Sequence, residues 1–116
     1  MKIGSIAGDI IVFSVRGEPD LGDELQAITE MVAGNLDSNV IVNFVCVDII
    51  RSSSLTKLLE LRQALVARGC QLVLCNIRPL TQSIMEITDI NSVFAIAADK
   101  EAGVSLIRSN QFAYVS

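Results

Sequence analysis

Hydroxyl-bearing side chains gather at one place in this chain, where Arg51-Ser52-Ser53-Ser54 is followed by Leu55, Thr56 and Lys57. Two kinds of chemistry are open to such a cluster. Ser54 and Lys57 match the Ser-x-x-Lys spacing of penicillin-recognising enzymes, in which an amine one helical turn away takes the proton of a nucleophilic serine. No Lys-Thr-Gly follows, and 116 residues are too few for such a fold. That leaves the second kind, phosphoryl acceptance. A phosphate adds nearly two negative charges, and at the first turn of a helix it would meet free N–H groups and the positive end of the dipole. An ordinary role stands beside it: a serine oxygen commonly caps those same N–H groups. One serine suffices for a cap, and three are more than capping asks for.

Other chemistries lack their residues. The chain has no histidine, which removes the commonest general base and every Ser-His or Cys-His nucleophile. Cys46, Cys70 and Cys75 form no Cys-x-x-Cys pair, so no zinc site is expected and all three read as buried, reduced thiols. No phosphate-binding glycine pattern occurs. We therefore expect no enzyme, no cofactor and no metal. Glu18 and Asp20, after Gly17, read as acids that complement the dipole of the helix they precede.

Composition narrows the partner class. Thirteen acidic residues against nine basic give a net charge of −4, aromatics are 4% and Trp is absent. Neither a basic stripe for phosphates nor a stacking platform for bases is present, so no direct nucleic-acid role is expected. The most apolar run, Val40 to Ile50, contains Asn43 and Asp48 and is too short to insert in a membrane. Met1-Lys2 leads into Gly4, Ser5 and Asp9 rather than an apolar leader. A soluble, cytoplasmic protein of one domain, residues 1–116, is the expectation.

Periodicity supplies the elements that position the cluster. Lys2 to Ile6 and Ile10 to Val15 predict two strands joined through Ala7-Gly8-Asp9 as a hairpin. Leu21, Leu25, Ile28 and Val32 share one helical face, with Asp23, Glu24 and Glu30 off it and Gly34-Asn35 as a stop. Val40 to Val45 predicts a strand apolar on both faces. A second helix follows the serines to about Arg68, burying Leu55, Leu58, Leu59, Leu65 and Val66, with Arg62 snorkelling from the same stripe. Gln71 to Cys75 predicts a strand, Pro79 starts a third helix facing Leu80, Ile84 and Ile87 inward, and Val93 to Ile96 predicts the last strand. Asp99 caps a final helix that buries Ala102, Leu106 and Ile107. The order ββαβαβαβα predicts an α/β fold with a mixed, mostly parallel sheet of about five strands and about four helices.

Several segments resemble the STAS domain, the fold of sulphate transporter C-terminal regions and bacterial anti-sigma-factor antagonists. Ser52-Ser53-Ser54-Leu55 falls where that family carries Asp-Ser-Ser-Gly-Leu, with Arg51 in the aspartate position and Ser54 in the glycine position. Gly17-Glu18-Pro19-Asp20-Leu21 resembles its Gly-Glu-Leu-Asp-Leu turn. Gln71 to Asn76 with Pro79, then Glu86 to Ile90 with Val93-Phe94, resemble two further segments. The resemblance implies a protein-binding regulator in a partner-switching pathway, its partner an anti-sigma factor that is also a serine kinase. It implies Ser53 as phosphoacceptor, with Ser52 beside it, and Asp20 at the interface. Together with the start of the second helix, the docking residues would be Asp20, Arg51, Ser52, Ser53, Ser54, Thr56 and Lys57. Arg51 either pairs with Asp20 or stands ready for a phosphate on Ser53. The alternative is a non-phosphorylated scaffold subunit of a stressosome-like or transport assembly. A small-ligand or nucleotide sensor rests on family analogy alone. A homodimer is open on apolar composition.

Overall fold

A computed structural model describes the backbone of residues 1–115 and the side chains of residues 1–110. Its elements are β1 (Lys2–Ile6), β2 (Ile10–Arg16), α1 (Leu21–Ala33), β3 (Asn39–Cys46), α2 (Ser52–Ala67), β4 (Leu72–Cys75), α3 (Pro79–Ile87), a 3-10 turn (Ile90–Ser92), β5 (Ala95–Ala97) and α4 (Lys100–Val115). The five strands form one sheet in the order β1-β2-β3-β4-β5. β1 runs antiparallel to β2, and every other pair is parallel. The mixed α/β order expected from the pattern is the one observed.

The hairpin closes as its residues require. Ala7 and Gly8 both take positive φ, the geometry whose twist matches two paired strands. From β2 onward each strand is covered on two sides, and alternate residues divide between them. Phe13, Val15, Val40, Val42, Phe44, Leu72 and Leu74 point into the larger core, against α1, α2 and Met85 of α3. Ile10, Val12, Ile41, Val73 and Cys75 point the other way, against Ile107 of α4. β4 therefore has no polar side, and β3 interrupts its apolar run only at Asn39 and Asn43, on the side facing α4.

α1 buries Leu21, Leu25, Ile28 and Val32 as predicted, but Glu24 as well, at 8% exposed. Its carboxylate leaves the apolar stripe to bind the end of β2: Oε1 accepts the Arg16 backbone N–H and Oε2 the Arg16 guanidinium, each at 2.8 Å. Burial alone would raise the Glu24 pKa, but those two hydrogen bonds, together with the charges of the Met1 ammonium and Arg16, hold the carboxyl below its ordinary range.

Three helix faces differ from the expected ones. α2 starts at Ser52 and turns Ser54, Leu55, Leu58, Leu61 and Leu65 inward. Val66 is exposed and Leu59 only partly buried, because Ser54 is tied beneath the helix and rotates the stripe toward Leu61. Arg62 lies at its edge, where Nε donates to the Val93 carbonyl at 3.1 Å. α3 buries Thr81 and Met85 and leaves Leu80 and Ile87 62% and 84% exposed, with Ile84 half-buried. Thr81 Oγ1 donates to the Asp48 carbonyl and Met85 fills the core between α2 and the sheet, so this short helix is anchored on the face next to the expected one. In α4, Ile107 is buried and Leu106 half-buried, but Ala102 is exposed. Gly103 faces inward in its place, since a Cβ there would stand 3.3 Å from Ile41 Cδ1. The last strand begins two residues late, at Ala95, because the 3-10 turn draws the Val93 N–H back to the Ile90 carbonyl.

The cysteines also separate. Cys75 is buried, Cys70 intermediate and Cys46, the last residue of β3, exposed, so the expectation of three buried thiols holds for Cys75 alone. Burial, with Asp99 and Glu101 nearby, pushes the Cys75 thiol up to about 11, so it stays protonated and unreactive.

Candidate functional site

The loops after β2 and β3 leave the same end of the sheet, and parallel neighbours bring them side by side. The first carries Gly17-Glu18-Pro19-Asp20, with a cis bond between Glu18 and Pro19. The second leads into α2. Between them lies a groove of about 180 Å³ lined by Glu18, Pro19, Asp23, Arg51, Ser53 and Lys57, among others.

Arg51, not a serine, is the N-cap residue of α2, and its side chain makes no capping bond. The expectation of a serine cap is corrected. Ser52, Ser53 and Ser54 all lie inside the helix, where their own oxygens are badly placed to reach the first-turn N–H groups. Glu18 caps from across the groove. Its Oε2 accepts the Arg51 backbone N–H at 2.8 Å and the Ser54 hydroxyl at 2.7 Å. Glu18 thus complements the dipole of the second helix, not of the first one it precedes. Sequence reasoning missed this role because the partners are separated by 33 and 36 residues. The available signal was Glu18 itself, an acid in a short turn beside the first helix.

The three serines diverge in environment. Ser52 and Ser53 are exposed, and Ser54 is 1% exposed, packed on Gly22 of α1. Of the three serines, Ser52 and Ser53 are presented to solvent and Ser54 is not. Thr56 is exposed and returns its hydroxyl to the Ser52 carbonyl. Lys57 donates to Gln26 Oε1 of α1 at 2.8 Å and lies 3.8 Å from Glu60. Ser54 and Lys57 are engaged with different partners, Glu18 and Gln26, rather than with each other. Asp20 lies 3.8 Å from Arg16, and among the described residues that ion pair replaces the expected one with Arg51.

The arrangement brings hydroxyls, cations and anions together at one helix start. Two exposed hydroxyls stand on the first turn of a sixteen-residue helix, whose leading N–H groups have no intrahelical acceptor. Arg51 and Lys57 supply cationic groups beside Ser53, and Glu18 and Asp23 supply anionic ones. Next to the groove, Arg78 binds Asp48 at 2.8 Å and Thr81 binds the Asp48 carbonyl. These bonds hold the loop carrying exposed Ile49 against the start of α3 with exposed Leu80.

A five-stranded mixed sheet with helices on both faces and a hydroxyl-bearing helix start defines a small α/β domain. The model of the STAS domain family matches residues 5–103. The chain belongs to that family. Solved structures agree in fold at low identity. An anti-sigma-factor antagonist (STAS) domain protein from Planctomyces limnophilus is 15% identical with a TM-score of 0.76, covering 92% of this chain and 97% of its own. A chain of the stressosome, described as a signal integration and transduction hub, is 13% identical with a TM-score of 0.74, covering 95% and 98%. The Bacillus cell fate determinant SpoIIAA in its phosphorylated form is 15% identical with a TM-score of 0.67, covering 90% and 97%. No curated protein matches the chain by sequence. No helix among the described residues is long and apolar enough to cross a membrane.

Proposed function

We propose that this chain is an anti-sigma-factor antagonist whose docking surface is switched by phosphorylation of Ser53. The surface comprises Asp20, Arg51, Ser52 and Ser53, with Thr56 and Lys57 along the helix. The observation that carries the reading is the exposure of Ser52 and Ser53 on the first turn of α2, beside a groove of mixed charge. The unmodified form binds a serine kinase that doubles as an anti-sigma factor, and the sigma factor is released. A phosphate on Ser53 adds charge and desolvation cost at that contact. Relatives of the same fold include the phosphorylated SpoIIAA and an antagonist domain protein, which supports the switch without assigning a residue.

The test is direct. A serine kinase of the anti-sigma-factor type is mixed with the protein and ATP, and the modified residue is located by mass spectrometry. Binding of the same partner is measured by calorimetry for Ser53→Ala and Ser53→Glu. Ser53→Ala binds as the wild type, whereas Ser53→Glu weakens binding, roughly 150-fold if 3 kcal/mol is lost. No phosphate on Ser52 or Ser53 would sink the switch.

A second reading is a constitutive scaffold subunit of a stressosome-like or transport assembly. The Ser54–Glu18 bond favours it, since it fastens the start of α2 to the neighbouring loop. Unchanged binding by Ser53→Glu supports the scaffold.

A further inference from the structure

A second cleft, of about 330 Å³, opens on the other face of the sheet, between the β1–β2 hairpin and the start of α4. Register explains its lining. Lys2 lies opposite Ser14, and Ser14 opposite Asn43, while Gly4 lies opposite Val12. All five share the face that α4 covers over β3, β4 and β5. Lys100, the first residue of α4, completes the wall.

Hydrogen bonding fixes the polarity of this cleft. Asn43 Oδ1 accepts the Val45 N–H and one Asn76 amide hydrogen, each at 3.0 Å. Its oxygen is thereby occupied, and Nδ2 is the end turned toward Ser14, donating to Oγ at 3.4 Å. With its oxygen used as acceptor, Ser14 has its hydroxyl hydrogen left to give. Neither Lys2 nor Lys100 pairs with an acidic group among the described residues, and no acidic side chain lines the cleft. The groove at α2, by contrast, carries Glu18 and Asp23. On a chain of net charge −4, this cleft carries two ammonium groups and no carboxylate. Gly4 leaves open space on its wall and Val12 supplies apolar surface.

We propose that this cleft binds a small phosphorylated metabolite, its phosphate held between Lys2 and Lys100 with help from Ser14 and Asn43. The organic part lies over Gly4 and Val12. Two ammonium groups on separate elements match a dianion better than a single carboxylate, and charge-assisted hydrogen bonds give the contact its strength. The site is independent of the Ser53 switch, being on the opposite face of the sheet.

The experiment is a titration of the whole chain with inorganic phosphate and then ribose 5-phosphate, followed by backbone amide NMR at low salt. Saturable shifts are expected at Gly4, Ser14, Asn43 and Lys100, with the monoester binding more tightly than phosphate. Lys2→Gln and Lys100→Gln each weaken binding roughly tenfold, and the double variant abolishes it while melting at the wild-type temperature. Ser53→Ala leaves the titration unchanged, so failure here is distinct from failure of the switch. Absence of saturation, shifts centred on Arg51 and Lys57, or undiminished binding by the double variant would each overturn the proposal. So would binding to phosphatidic acid vesicles without binding to either free phosphate compound.

Discussion

α2 and α4 are the two longest helices, and both begin with a capping carboxylate, yet the carboxylates come from different distances. At α4 the cap is local: Asp99 Oδ1 accepts the Ala102 N–H at 2.8 Å, three residues on. At α2 it comes from Glu18 in the loop before α1. The difference matters because a local cap serves only its own helix, whereas a distant one also joins two loops. Glu18 ties the Asp20 loop to the serine turn, joining the two halves of the proposed docking surface. A local cap leaves its surroundings free, and the cleft beside Lys100 is open.

Removing each cap measures that contrast. Glu18→Ala deletes two hydrogen bonds and leaves the buried Ser54 hydroxyl without its acceptor, a loss of about 2–3 kcal/mol. Urea denaturation gives the value, and a loss no larger than that of Asp99→Ala would break the comparison. Ser54→Ala removes one of the two bonds, at about 1–1.5 kcal/mol. A double-mutant cycle with Glu18→Ala shows coupling if the pair acts as described. Asp99→Ala costs about 1 kcal/mol, the ordinary value for a helix cap.

Acid sharpens the same contrast through Glu24, which secures the base of the Asp20 loop to β2. Its folded pKa is depressed, so its contribution is fully present above the unfolded value and is lost as pH falls through the lower folded one. Stability followed from neutral pH downward therefore drops in the acid range more steeply in the wild type than in Glu24→Gln. Equal slopes would show that Arg16 does not hold the carboxylate. The smallest effect belongs to Ile87→Ser on the exposed side of α3, within about 0.5 kcal/mol of wild type by thermal melting.

Where the chain's pattern was unambiguous, it read through to the fold. The stripe of α1 and the Asp99 cap depend on residues within a few turns of one another, and so does the hairpin. α3 shows the limit. Leu80, Ile84 and Ile87 make a regular apolar stripe, but nine residues are too few for periodicity to choose a face against a tertiary anchor. Thr81 on the Asp48 carbonyl and Met85 in the core settled it. At the candidate site, the serine cluster was visible at once, while its division into two exposed side chains and one buried one was not. The rotation of α2 about its axis made that division.

The order of strands and helices, the poverty of chemistry available without histidine, and the position of the hydroxyl cluster were determined by sequence alone, because each is a local property of residue type and spacing. Tertiary structure decided which acid meets which helix and which serine faces solvent. It also assembled the cleft at Lys2 and Lys100. Those depend on side chains brought together from distant parts of the chain, and no local pattern encodes their separation in space.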